Sequence, residues 1–353
     1  MAQVQQRERT PGSHRPSPLL HVVRFRHRIA CFRLGQHART RRDRGCRSRP
    51  EGSPLSFPHV RRAALAALVL VPLTACTAQA PAAAPATSAM STTEAPQPDF
   101  APLERDFDAR LGVYAVDTGT GRELAHRADE RFGYASTHKA FSAAAVLQRT
   151  SIEGLAKVLT YTRADVPANS PVGEKHVESG LSLRDAIDAA LRYSDNTAAN
   201  LLFRELGGPA GLAAALRGIG DTITHVDRIE PGLNDLAPGD IRDTSTPHAM
   251  AADLRAFTLG TALPPEQRAL LTDTMRANLT GGALIRAGTP AGWAVADKTG
   301  TGEYATRNDI AVVRPPGRAP IVLVVMSDRK TEDAGHDDRL IAQAAGLALD
   351  SFR

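Results

Sequence analysis

Three short runs of side chains have the types and spacing of acyl-transfer chemistry. Ser136-Thr137-His138-Lys139 opens an Ala-rich stretch of helical character. On a helix, positions three apart share a face, so the Lys139 amine can reach the Ser136 hydroxyl. A nearby amine can take the serine's proton, and the positive end of a helix dipole favours the alkoxide. Ser194-Asp195-Asn196 follows 58 residues later, between two helical segments. Those three types equally suit a capping turn. Lys298-Thr299-Gly300-Thr301-Gly302 comes 104 residues further on and ends the apolar strand Trp293–Ala296. Glycines there let a ligand approach the backbone of an edge strand, though a strand-ending turn has the same composition. The fourth element is Glu230-Pro231-Gly232-Leu233-Asn234, in a loop from Arg228 to Asp243 that also holds Pro238 and Gly239. Compact loops of this kind often carry function. A Glu and an Asn four apart can hold one water between them, and Arg228 can pair with Asp243 across the loop's base.

The elements that must position these groups are strands at both ends of the chain and helices between. Val113–Val116 and Glu123–His126 flank Thr118-Gly119-Thr120-Gly121 and predict a hairpin. Helices are expected over Ser136–Leu147 and over Leu183–Tyr193, capped by Ser182 with Asp185 three residues on. A third covers Asn196–Leu206, stopping at Gly207-Gly208. Thr246-Pro247 starts another, and Pro264–Asn278 is followed by Gly281-Gly282. Strands return at Trp293–Lys298, Asp309–Arg314 and Ile321–Met326, and a helix over Asp337–Phe352 closes the chain. This order predicts an α+β fold. Both chain ends supply one antiparallel sheet with flanking helices, the middle supplies an inserted all-helical subdomain, and the site lies in the cleft between them.

Composition removes several other functions. The chain has 353 residues and a formal net charge of +5. Residues 1–60, however, carry 13 Arg against Glu8, Asp43 and Glu51, which is +10, so the remaining 293 residues are at −5. The catalytic part has no cationic excess for nucleic acid. The chain's three cysteines are Cys31, Cys46 and Cys76, so after residue 76 there is no disulfide, Cys metal site or Cys nucleophile. Six histidines remain there, none at metal-ligand spacing. No metal or cofactor is expected. The histidines, His138 included, read as packed, capping or solvated side chains, and Trp293 as core.

The amino-terminal quarter divides into three. Residues 1–60 lack apolar periodicity and read as a disordered or non-native Arg-rich extension, with translation starting near Val60. Residues 61–76 hold Arg61-Arg62, the apolar run Ala63–Leu73 and Leu73-Thr74-Ala75-Cys76, the pattern of a secretory signal. The run is shorter than the roughly 20 residues a bilayer span needs. Its end resembles the lipobox of bacterial lipoproteins, which would make Cys76 a lipid anchor; cleavage after Ala78-Gln79-Ala80 is the alternative. Residues 77–98 hold eight Ala, four Pro and six Ser/Thr and read as a tether. Residues 99–353 form the catalytic domain, and the mature chain is expected to be exported.

The three motifs in this order form a set shared by class A β-lactamases and penicillin-binding proteins. With Ser194–Leu202, Arg242-Asp243-Thr244 and Pro290-Ala291-Gly292-Trp293, residues 100–353 resemble class A serine β-lactamases. The 38 Arg against five Lys point to a GC-rich bacterial genome.

The resemblance implies a role for each residue. Ser136 is the nucleophile that opens a β-lactam, and Lys139 shares the proton network that activates it. Ser194 passes a proton to the lactam nitrogen. Asn196 holds the substrate's side-chain amide, and Lys298, Thr299, Gly300 and Thr301 hold its carboxylate, with Arg307 as a second anchor paired to Asp338. The backbone N–H groups of Ser136 and Thr301 form the oxyanion hole. Glu230, with Asn234, activates the water that hydrolyses the acyl-enzyme. Penicillin-binding D,D-peptidases lack that Glu, and a non-hydrolysing β-lactam sensor has no need of it, so these are the alternatives it disfavours. Asn169 departs from the pattern, standing where members commonly place an aromatic. The implied partner is a small β-lactam, on a monomer that binds no nucleic acid.

Overall fold

A computed structural model of the protein describes residues 97–353. The Arg-rich extension over 1–60, the signal-like 61–76 and all but the last two residues of the 77–98 linker lie outside the described residues. No helix among the described residues is long and apolar enough to cross a membrane.

After the short helix α1 (Ala101–Asp106), the chain forms the hairpin β1 (Arg110–Asp117) and β2 (Glu123–His126). Val113 pairs with His126 and Val116 with Glu123, so the hairpin expected from the sequence forms. The middle is helical: α2 (His138–Arg149), α3 (Leu183–Arg192), α4 (Asn196–Leu206), α5 (Pro209–Gly218), α6 (Pro247–Thr258) and α7 (Pro265–Arg276). The chain returns through β3 (Ala294–Thr301), β4 (Arg307–Arg314) and β5 (Ile321–Asp328) and ends in α8 (Asp338–Asp350). The strands form one antiparallel sheet in the order β2-β1-β5-β4-β3. The pairing of β1 with β5, from Arg110↔Asp328 to Asp117↔Ile321, closes the two chain ends on each other. This is the α+β arrangement read from the sequence.

Alternation along β1 decides what each face meets. Leu111, Val113 and Ala115 join Leu323, Val325, Leu340, Ile341 and Phe352 in a core under α8. Tyr114 and Val116 join Val322, Val324, Ala143, Leu147, Leu202 and Phe257 in a core with the helical body. Helix α2 runs through that body, buried from His138 to Leu147, and its alanines admit its neighbours closely. The expected caps are present: the Ser182 hydroxyl accepts from Asp185 N at 3.1 Å, and the Thr246 hydroxyl from Ala249 N at 3.1 Å.

Two expectations change. Helix α5 was not expected, because Gly207-Gly208 reads as the end of a helical region. Gly207, at φ 88°, does end α4, but Pro209 then starts α5 at once, the fixed φ of proline suiting a first turn. Lys298-Thr299-Gly300-Thr301 is not a turn after the strand; it forms the last four residues of β3, with Lys298 opposite Ile310 and Thr301 opposite Arg307. Pairing with β4 carries the strand past the point where its apolar run stops.

One buried pair outside the cleft makes stability depend on pH. Asp253, on α6, is buried against Asp221, and among the described residues neither Oδ2 meets a donor other than its partner carboxyl. Burial first, and then the Asp221 charge, push Asp253 up to about 9. A carboxyl raised above its unfolded value of about 3.9 stabilises the fold fully below that value and loses the contribution as pH rises through the folded pKa. Asp253→Asn mimics the protonated acid. It is expected to stabilise by about 2 kcal/mol at pH 8, roughly 4–8 °C in Tm, and to change little at pH 4. Thermal melts at the two pH values check this; an equal shift at both would exclude proton sharing.

Candidate active site

Four segments converge at the junction of the helical body and the edge strand β3. Ser136 lies in a single 3-10 turn, Ala135–Thr137, directly ahead of α2. Ala135 sits at φ 47°, a left-handed conformation that costs of order 1–3 kcal/mol for a residue with a side chain. The turn lies tight against β3: a Cβ on Gly300 would come within 2.8 Å of the Tyr134 carbonyl oxygen. Glycine at 300 is therefore what lets the strand approach the nucleophile's turn.

Lys139 is wholly buried one helical turn from Ser136. Its Nζ donates to Ser136 Oγ at 2.8 Å, to the Ser194 carbonyl at 2.8 Å and to Asn196 Oδ1 at 2.6 Å, and lies 2.9 Å from Glu230 Oε1. With the Ser194 hydroxyl oxygen at 3.4 Å, five acceptors face the three N–H groups of one ammonium. Burial pulls its pKa down, and the Glu230 charge offsets only part of this. A buried lysine lowered in this way is a usable proton acceptor.

Ser194-Asp195-Asn196 is both a capping turn and part of the site. Asp195 caps α4 by accepting from Ala198 N at 2.8 Å, and its other oxygen accepts from Val172 N and Gly173 N. With the cap fixed, Ser194 adopts φ 56°, and its hydroxyl accepts from Lys298 Nζ at 3.0 Å. Asn196 turns its amide oxygen to Lys139 and donates from Nδ2 to the Ala168 carbonyl at 3.0 Å. Asn169, next in the chain, is exposed at φ 59°. On β3, the Thr299 hydroxyl bonds Thr280 Oγ1 at 2.6 Å. Thr301 Oγ1 accepts from Arg307 at 2.6 Å, and Arg307 Nε donates to Asp338 at 2.7 Å, so the expected Arg307–Asp338 pair forms. Lys298 is wholly buried; burial, with the nearby Lys139 charge adding to it, pulls it down to about 7.

The loop brings Glu230 over the serine. Ser136 Oγ donates to Glu230 Oε1 at 3.0 Å, and Asn234 Nδ2 donates to Oε2 at 2.6 Å. Asn234 thus bonds the carboxylate directly, holding the pair from which a water would be gripped. Burial alone would raise Glu230, but the Lys139 charge and the His138 ring hold it well below the usual carboxylate range. At the loop's base, Arg228 Nε donates to Asp243 Oδ2 at 2.6 Å, the pair expected from the sequence.

Two residues here escaped the sequence reading. Asn200, one turn into α4, clamps the Glu230 backbone from both sides: its Oδ1 accepts from Glu230 N at 3.0 Å and its Nδ2 donates to Glu230 O at 2.8 Å. Its spacing of four from Asn196 places both on one face of the helix, which was the available signal. His138, read as a packing side chain, has its Nε2 3.4 Å from Glu230 Oε1.

A hydroxyl hydrogen-bonded to a buried amine and a buried carboxylate, beside a second buried lysine on the sheet's edge strand, defines a serine hydrolase that works through an acyl-enzyme. The chain belongs to the β-lactamase enzyme family, whose model matches residues 96–352. It is 56% identical over 254 residues to a β-lactamase of Bacillus amyloliquefaciens, covering 72% of this chain and 83% of that one. A β-lactamase of Amycolatopsis lactamdurans is 54% identical over 266 residues, 75% of this chain and 88% of the relative. Among solved structures, the class A β-lactamase of Clostridium kluyveri DSM 555 superposes with a TM-score of 0.71 at 49% identity, covering 72% of this chain and 97% of that one.

Proposed function

We propose that the chain hydrolyses the β-lactam ring of penicillins and cephalosporins through an ester on Ser136, with Glu230 as the base that ends each cycle. The observation that carries this reading is the Glu230 carboxylate 3.0 Å from the Ser136 hydroxyl. A group so placed can activate a water beside the ester carbonyl, a group that penicillin-binding D,D-peptidases lack and a sensor does not require.

In the forward step Ser136 Oγ attacks the lactam carbonyl carbon, and its proton passes to the Lys139–Glu230 pair. Negative charge gathers on the carbonyl oxygen, where the N–H groups of Ser136 and Thr301 receive it. The C–N bond then breaks, and Ser194 hands its proton to the departing nitrogen while taking the one held by the Lys139–Glu230 pair through Lys139, which leaves Glu230 ionised for the second step. The Ser194 hydroxyl is suited to this, because Lys298 and Lys139 both aim N–H groups at the oxygen. In the second step Glu230 takes a proton from water, the hydroxide adds to the ester, and Ser136 leaves with its proton restored. Asn196 keeps its second amide N–H for the substrate's side chain, while Lys298, Thr299, Thr301 and Arg307 meet its carboxylate. Peptide mapping of the chain quenched during turnover should find the intact substrate mass on the peptide bearing Ser136. Turnover without that adduct would overturn the reading.

Lys298 gives the reaction a basic limb. Its pKa near 7 means that it is charged below neutrality and loses that charge above it. Because kcat/KM reports groups of the free enzyme, it is expected to fall above about pH 7 for a substrate bearing a carboxylate. Lys298→Arg, charged throughout, should remove that limb. A profile flat from pH 6 to 9 in the unaltered enzyme would show that Lys298 stays charged. Export of the chain, with Cys76 lipidated and the catalytic domain monomeric, belongs to the same proposal; the Arg61-Arg62 pair, the short apolar run and Leu73–Cys76 support it.

A further inference from the structure

His138 points into the site from the first turn of α2, and the reaction as described makes no use of it. The ring is 2% exposed. It stacks on Phe203, with centroids 4.9 Å apart and planes at 21°, and its edge nears Tyr134 at 5.9 Å. Nδ1 lies 3.0 Å from Ser142 Oγ, one turn further along α2, and Nε2 lies 3.4 Å from Glu230 Oε1. Those contacts fix the tautomer. An ionised Glu230 only accepts, so Nε2 carries the hydrogen; Nδ1 is then the acceptor, and the Ser142 hydroxyl donates to it. The charged groups around the ring are Lys139 on the same helix, Lys298 on β3 and Glu230 on the loop. Burial disfavours the imidazolium, in agreement with a neutral ring.

We propose that His138 is a positioning residue for Glu230, holding the carboxylate through its Nε2–H during hydrolysis of the acyl-enzyme. In the free enzyme Oε1 receives three donors: Ser136, Lys139 and His138. Once Ser136 is esterified its O–H is gone, and Lys139 and His138 alone hold that oxygen while water occupies the vacated side. The His138 bond therefore matters more after acylation than before it. This rests on Glu230 being the deacylating base.

The test compares the full chain with His138→Phe, which keeps an aromatic ring on Phe203 but removes the N–H, and with His138→Gln, which restores an N–H near the Nε2 position. In the Phe variant kcat is expected to fall about tenfold, the scale of one hydrogen bond to a charged group. KM should fall with it as acyl-enzyme accumulates, leaving kcat/KM within about twofold of the parent. Its acid limb in kcat should move upward, towards the ordinary carboxylate range, and the Gln variant should recover most of both effects. Ser142→Ala keeps the ring and removes its anchor, so it should show a smaller split in the same direction; this serves if the Phe variant does not fold. Equal losses in kcat and kcat/KM with the acid limb unmoved, or a folded Gln variant no better than Phe, would overturn the proposal. Glu230→Gln run alongside separates the two ideas: if it traps no acyl-enzyme, the reading of Glu230 fails first.

Discussion

Glu230→Gln is expected to convert steady turnover into a single round of acylation. The substitution keeps the size of the side chain and its contact with Asn234, but it removes the base. General-base catalysis of this kind contributes about 10²–10⁴-fold, so kcat should fall by roughly three orders of magnitude. Acylation should survive. Lys139 is pulled down by burial and held up by the Glu230 charge. Without that charge its pKa drops further, and at neutral pH the amine, 2.8 Å from Ser136 Oγ, is better able to take the serine's proton. A chromogenic cephalosporin should therefore give a burst of one product per enzyme and then a near-flat trace, with the substrate mass retained on Ser136. Continued turnover near the parent rate would sink the assignment. A loss of the burst itself would instead make Glu230 indispensable to acylation.

What could be read from the sequence was what is local. The Ser136–Lys139 contact follows from helical spacing, and Ser182, Asp195 and Thr246 sit where capping chemistry puts them. The turn residues Thr118-Gly119-Thr120-Gly121 between two short segments gave away β1 and β2, and the cluster of Pro and Gly marked the loop that carries Glu230. The contacts that set the properties of those groups are long-range. Glu230 meets Ser136 and His138 across more than 90 residues and Asn200 across 30. No short period encodes such distances. His138 is packed, as its sequence setting suggests, but its contact with Glu230 was not legible for this reason: only the loop folded over it supplies the carboxylate. The length of β3 was missed similarly, since Thr299-Gly300-Thr301 has no apolar pattern and becomes strand through its pairing with β4. At Asn169 the sequence showed a departure, and the structure puts an exposed amide there rather than an aromatic.

The loop is also where a distant substitution should cost most. Asp243 is fully buried, and every contact it makes ties the loop's two ends together or to the nucleophile's turn. Oδ1 accepts from Asp227 N at 2.9 Å, Arg228 N at 3.0 Å and the Tyr134 hydroxyl at 3.0 Å, while Oδ2 accepts from Arg228 Nε at 2.6 Å. Its own carbonyl accepts from Tyr134 N, two residues before Ser136. In Asp243→Asn the Oδ1 contacts can persist, but an NH₂ now faces the Arg228 Nε–H, donor against donor. Breaking a buried ion pair by removing one partner costs about 3–5 kcal/mol. The Arg228 side chain is 22% exposed, so partial hydration brings the expectation to about 2–3 kcal/mol, or roughly 4–12 °C in Tm. The charge is lost 13 residues from Glu230, yet the effect on rate should be specific. Glu230 is held by Asn200 on one side and by the loop's closure on the other, so loosening the base disperses the carboxylate from the water's position. Deacylation should slow more than acylation, and limited proteolysis should cut first within 235–241. An unchanged Tm with parent turnover would show that the backbone bonds alone close the loop, and that the Arg228–Asp243 charge pair contributes nothing to placing the base.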